Sequence, residues 1–244
     1  MTYEDGLTLV RSGQFRSLLD RFVPSSDAPD VSPQLRTLVA YVSALTDDVN
    51  VAVPLLQVND AKLSAATRSQ IETTHGIISW RSGSHELAWH HLQGGVRLAR
   101  DANDSERLAW AYLHLWRLAI EVQPSNAVEA LLGEVRSAVV RACIPAATAY
   151  LHVCVAAFEG QRGNLDEVRR HCDIAESLLD VQPNAWVLSG ALVNRSCVAC
   201  LRCDFEGALR HVEKILMLTT VHAAQTHRHS AENMSGYIHF VSGE

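Results

Sequence analysis

The chain has 244 residues, with 21 Lys+Arg against 27 Asp+Glu, a formal net charge of -6, 48% hydrophobic residues and 6 Cys. A chain of this size and composition buries a large core, which excludes a disordered or collagen-like protein, and its acidic balance argues against a general binder of nucleic acid or anionic membrane. Met1-Thr-Tyr-Glu-Asp begins no secretory signal and no apolar run approaches the about 20 residues of a membrane span, so the expected place is the cytoplasm, with the six thiols reduced and buried in apolar helical stretches.

Taken in chain order, the first helical signs are weak. Arg11-Ser12-Gly13-Gln14-Phe15 repeats the turn of Arg81-Ser82-Gly83, and Asn50 to Leu56 resembles the second helix of a pair, so residues 1–65 read as divergent N-terminal helical repeats. From residue 66 the pattern is regular. The apolar positions Leu165, Val168, Cys172, Ala175 and Leu179 step by three and four, which is one face of an α-helix. Forty residues downstream stand Phe205, Ala208, Val212, Ile215 and Thr219, and 40 upstream stand Ser125, Val128, Leu132, Val135 and Val139. A further 40 upstream come His85, Ala88, Leu92, Gly95 and Ala99.

The turn before that helix recurs at Gly83, Gln123, Gly163, Cys203 and Gly243, where a residue free to adopt positive φ lets the chain fold back. Asn126 with Glu129 and Asn164 with Glu167 have capping-box spacing, and Asp204 is placed to cap the next helix. The preceding helix carries a small residue at Gly76, Ala156, Ser196 and Gly236 for close helix approach, with Trp116 as the divergent case. Asp101-Ala-Asn-Asp104, Pro124, Pro145 and Gln182-Pro183-Asn184 punctuate the breaks. An antiparallel helix pair cannot bury its apolar face alone, so the expected fold is an all-α solenoid of stacked pairs with a period of about 40.

The Gly76/Gly83/Ala88 and Gly236/Gly243 spacings, with Asn194-Arg-Ser196 and Asn233, resemble the tetratricopeptide family over residues 66–244. A period of 40 instead of 34 is more similar to the longer helix pairs in the sensor regions of large bacterial transcription activators, such as the maltose-regulon activator and relatives with AAA+ enhancer-binding modules. The resemblance implies a right-handed superhelix whose first helices line a groove for a peptide, a partner protein or a small inducer. Carried onto this register, the groove positions are Thr73, Trp80, Arg81, Arg117, Glu121, Tyr150, Val153, Gln161, Val193 and Cys197. It also implies the N-terminal regulatory segment of a larger transcriptional regulator, with no direct nucleic-acid contact by this segment, no membrane and no cofactor.

Gly236 to Glu244 reads as the first helix and turn of an incomplete last unit, whose helix would leave Met234, Tyr237, Ile238, Phe240 and Val241 uncovered and open to self-association. Cys197-Val-Ala-Cys200-Leu-Arg-Cys203 has the C-x₂-C-x₂-C spacing of part of an iron–sulfur run, so a helical metal or iron–sulfur protein is the alternative. The fourth Cys is missing and the register sets all three thiols along one helix and its turn. His222, His227, His229 and His239 read as solvated residues between units, and the five Trp as core filler. No P-loop, G-x-G-x-x-G or G-x-S-x-G is present, so the expected protein is a binding module and not an enzyme.

Overall fold

The computed structural model describes residues 1–22, 31–57, 63–222 and 225–242, and among these there are thirteen α-helices and no strand. They are α1 (Tyr3–Arg11), α2 (Phe15–Phe22), α3 (Pro33–Leu45), α4 (Val49–Leu55), α5 (Ala65–Arg81), α6 (His85–Asp101) and α7 (Ser105–Val122). The remainder are α8 (Ser125–Ala142), α9 (Pro145–Gln161), α10 (Leu165–Val181), α11 (Ala185–Leu201), α12 (Phe205–His222) and α13 (Gln225–Ser242). The fold is all-α. No described helix is long and apolar enough to cross a membrane.

Each even-numbered helix from α6 to α12 packs between the odd-numbered helices on either side of it, and each odd-numbered helix from α3 to α13 also touches the next odd-numbered one. The burial pattern follows from that contact order. α9 touches α7, α8, α10 and α11, and it buries Ala149, Tyr150, Leu151, Val153, Cys154, Val155, Ala156 and Phe158, which go all the way round its axis. α10 buries only the stripe of Val168, His171, Cys172, Ala175 and Leu179, with its charged residues outside. That stripe is the face read from the sequence, and its counterparts Val128, Val135 and Val139 in α8 and Ala208, Val212, Ile215 and Thr219 in α12 are buried as well. Each such aliphatic side chain contributes about 1.5–3 kcal/mol by leaving water.

The helix ends are where sequence and structure part. Gly83 and Gly163 have φ of +77° and +78°, and Cys203, without a glycine's freedom, is held at +58°. Gln123 is extended instead, because Pro124 follows it and starts α8, and a residue before proline is driven out of helical backbone. Asn126 consequently lies inside α8 and caps nothing, and Asn164, although at the N-cap of α10, turns its amide to the Glu159 carboxylate. Asp104, Asn184 and Asp204 do cap, accepting from the amides of Arg107, Val187 and Gly207 at 2.9, 3.1 and 2.9 Å. Gly243 lies outside the described residues.

Small residues matter between α5 and α6. A Cβ on Gly76 would stand 2.5 Å from Leu92 Cγ, and one on Gly95 2.5 Å from Thr73 Oγ1, so both helices need glycine to come this close. Gly236 has open space around it, and close packing does not account for it. In α13, Ala231 and Ile238 are buried against α11 and α12, while Tyr237, Phe240 and Val241 face outward. The last helix is therefore docked along one face: of the residues the sequence leaves uncovered, Ile238 is buried and Met234 partly so, while Tyr237, Phe240 and Val241 are exposed. Cys154 and Cys172 are buried as expected, but Cys143, Cys197 and Cys203 are exposed, Cys143 and Cys203 because they end helices with positive φ.

The N-terminal helices do not simply extend the row. Arg11 forms an ion pair with Glu106, Arg107 donates to the Tyr3 hydroxyl at 2.7 Å, and Asn184 donates to the Arg11 carbonyl at 3.3 Å. α1 and α2 thus reach the starts of both α7 and α11, and Phe15 rests on Trp186 with ring centroids 6.3 Å apart.

Candidate ligand-binding cavity

A cavity of about 260 Å³ is lined by residues from every odd-numbered helix between α3 and α13, and from no even-numbered one. Leu45 comes from α3; Ile77, Trp80 and Arg81 from α5; His114, Arg117 and Glu121 from α7. Tyr150, Val153, Cys154 and Ala157 come from α9, Trp186, Gly190, Val193 and Asn194 from α11, and His227 and Ser230 from α13. The i, i+3 and i, i+4 spacings within these helices put each set on one face, which is the face turned away from the even-numbered row.

Polar groups in the wall hold one another in place. Arg117 lies over the Trp80 ring, 5.4 Å from its centroid, and both donate to Glu121, Arg117 Nη1 to Oε1 at 2.7 Å and Trp80 Nε1 to Oε2 at 2.7 Å. Arg81 donates to Asp47 Oδ1 at 3.0 Å and to the Leu45 carbonyl at 2.9 Å. Asp47 itself sits in a left-handed turn, φ +70°, between α3 and α4, and His229 of α13 lies 3.7 Å from its other oxygen. The turn after α3 and the last helix therefore meet at one carboxylate. Asn194 donates to the Val153 carbonyl at 2.9 Å, and the Tyr41 hydroxyl and His114 Nε2 are 2.9 Å apart.

An aromatic file runs across the odd-numbered helices. The ring centroids of Tyr41 and His114 are 5.8 Å apart, His114 and Tyr150 6.0 Å, Tyr150 and Trp186 4.7 Å, and Trp186 and His227 5.6 Å. Burial dominates the titration of these groups. It pushes His114 and His227 down to about 3, with Arg81 adding to the effect on both and Arg117 on His227. Burial also holds Tyr150 well above the usual phenol range and pushes the Cys154 thiol up to about 12. Arg81 is itself pulled below its usual range by burial, against the Asp47 carboxylate that raises it.

Of the groove positions carried over from the family resemblance, Trp80, Arg81, Arg117, Glu121, Tyr150, Val153 and Val193 meet in this cavity. Thr73 does not: it is buried against Gly95 and lines a separate small hollow with Tyr3, Gln70, Arg107 and Trp110. Gln161 is exposed at the last turn of α9, and Cys197 is exposed outside the lining. Among the described residues no three His, Cys, Asp or Glu side chains converge to hold a metal ion. His114, Trp186, Asn194 and His227 are lining residues the sequence reading misses. A signal for two of them exists, since His114, Cys154 and Asn194 stand 40 apart and all three line the cavity. Trp186 and His227 carry no such mark, and His227 reads from sequence as a solvated residue. The His222 side chain lies outside the described residues. No protein-family model matches the chain, and no curated protein sequence matches it.

Proposed function

We propose that the protein is a non-catalytic binding module, a solenoid of antiparallel helix pairs of tetratricopeptide type with a period of about 40, which holds a small molecule between its odd-numbered helices. The observation that carries this reading is the convergence of Trp80, Arg81, Arg117, Glu121 and Tyr150, from three different helices, on one cavity of about 260 Å³. A volume of that size suits a small molecule better than an extended peptide. Aromatic walls with a few placed polar groups are also the usual composition of such a site. The resemblance to sensor regions of bacterial transcription activators supplies the setting: occupancy of the cavity would be the signal that such a segment reports.

Gly190 offers a direct test, since it lines the cavity and a Cβ there would already stand 3.2 Å from Val153 Cγ1 and 3.6 Å from His227 Nε2, so a leucine crowds this part of the wall. A panel of small metabolites is screened for compounds that raise the melting temperature of the parent protein, and hits are repeated on Gly190→Leu. The expected result is at least one hit that the leucine abolishes while the variant stays folded by circular dichroism. An empty screen, or hits that survive the substitution, would remove this cavity as the binding site.

A further inference from the structure

Two pairs of polar side chains tie an odd-numbered helix to the even-numbered one after it at matching places in the chain. Glu72 of α5 meets His91 of α6, and His152 of α9 meets His171 of α10; positions 72 and 152 stand 80 apart, as do 91 and 171. The two joints differ in where their protons must be. In the first, His91 Nδ1 lies 2.8 Å from Glu72 Oε2, and an ionised carboxylate only accepts, so the proton is on Nδ1. That bond persists when the other ring nitrogen is protonated as well. The imidazoles of His75 and His90 are its neighbours, with ring centroids 5.3 and 6.0 Å from that of His91.

In the second joint two like groups face each other, His152 Nδ1 and His171 Nδ1, at 2.7 Å. Such a contact needs one N–H and one bare nitrogen. Arg170 decides which is which. Its Nη2 lies 3.0 Å from His171 Nε2, and a guanidinium can only donate, so Nε2 is bare and the His171 proton is on Nδ1. His152 Nδ1 must then accept, and its own proton is on Nε2. Both rings are neutral, and a second proton on either sets N–H against N–H, on His152 against His171 and on His171 against Arg170.

Burial holds both rings below the usual imidazole range, His152 pushed down to about 4, and the positive charges of Arg170 and of Arg136 on α8 add to it. Glu167, 3.8 Å from His171 Nε2, and Glu159 of α9 pull His171 the other way, and the same Glu167 oxygen already accepts from Nε and Nη2 of Arg170.

We propose that the α9–α10 joint is a proton-operated release built into the fold: one N–H···N bond ties α10 to α9 at neutral pH, and a further proton parts them while the α5–α6 joint stays closed. α9 supplies Tyr150, Val153 and Cys154 to the cavity wall, so the release acts on a helix that shapes the cavity, whatever the cavity holds.

The test uses the whole chain. Long-range proton–nitrogen correlation spectra of the imidazoles at about pH 7 should show His171 as the Nδ1–H tautomer and His152 as the Nε2–H tautomer; the reverse assignment, or a doubly protonated ring, would overturn the proposal. Amide exchange, corrected for the chemical effect of pH, is then compared between about pH 7 and about pH 5. α10 should lose at least about tenfold more protection than α6, because an imidazole freed into water titrates at about 6.5 and takes up its proton within that window. Equal losses in the two helices would assign the effect to opening of the whole molecule, and the joint would have no part in it. His152→Glu gives the second joint the same pair as the first and should abolish the extra loss in α10; an extra loss that survives this substitution defeats the proposal. Where that variant does not fold, the tautomers and the exchange of the parent protein decide the matter alone.

Discussion

The indole of Trp116 is fully buried in α7 and donates its Nε1–H to the Val128 carbonyl of α8 at 2.9 Å, and Ser196 of α11 makes the same kind of bond to the Ala208 carbonyl of α12 at 3.1 Å. A position that reads as small elsewhere is filled by the largest side chain here, with the same backbone acceptor. The adjoining residues adapt, as Phe158 tilts against the Trp116 ring at a centroid distance of 6.2 Å. Trp116→Phe is expected to cost about 0.5–1.5 kcal/mol through the lost hydrogen bond. Trp116→Ala should cost about 3–5 kcal/mol through the cavity it opens. Urea titration of both variants checks this, and an alanine variant within about 1 kcal/mol of the parent would contradict the packing described.

Gly83 and Gly163 have positive φ with nothing within 4 Å of where a Cβ would stand, so the cost of a side chain there is backbone strain alone. Gly83→Val and Gly163→Val should each lose about 1–3 kcal/mol. Cys203, at φ +58°, already carries that strain. Cys203→Gly is therefore expected to gain up to about 1 kcal/mol, and melting temperatures moving in opposite directions for the two kinds of substitution are the readout.

His114 and His227 are held neutral, at about 3, whereas an unfolded imidazole titrates at about 6.5. Between those values the unfolded chain binds protons that the folded chain does not, so stability is full above about pH 6.5 and falls as pH falls. Well inside the window each group contributes a loss of about 1.4 kcal/mol per pH unit. Denaturation measured from about pH 7 down to about pH 5 should show that slope, and His227→Phe should remove one group's share of it. Stability independent of pH over that range would place both imidazoles in water.

Burial raises the thiols of Cys154 and Cys172 to about 12. A disulfide reagent at neutral pH should label exposed Cys143 and Cys203 in the native protein and reach Cys154 and Cys172 only after denaturation. Replacing Cys197, Cys200 and Cys203 by Ala, Ala and Ser is expected to leave metal content and visible absorbance unchanged. Stoichiometric iron or zinc lost in that triple variant would establish the metal protein instead.

α13 separates two neighbours sharply: Ile238 is fully buried and Phe240 is 84% exposed. Ile238→Ala should cost about 2–5 kcal/mol. Phe240→Ala should stay within about 0.5 kcal/mol of the parent in a monomer. A large loss from Phe240→Ala that grows with protein concentration would mark that face as a contact between copies.

The helical character and the buried faces were determined by sequence, because a 3–4 step of apolar residues has one way to hide from water: Val168, Cys172, Ala175 and Leu179 are buried as their spacing requires. Helix starts marked by Asp104, Pro124, Pro145 and Asn184 were legible for the same local reason, since capping and proline geometry act within one turn. Gln123 was misread because the influence of the proline after it outweighed its place in the register. Trp80, Arg81, Arg117, Glu121 and Tyr150, which the family resemblance implies as groove positions, do share one cavity. Only the tertiary structure decided that Trp186 and His227 join them. Their place depends on how far each odd-numbered helix is rotated toward the last, and on α13 reaching back to Asp47. Such an arrangement comes from contacts between residues up to 182 positions apart, Asp47 to His229, and no local period encodes a contact at that range.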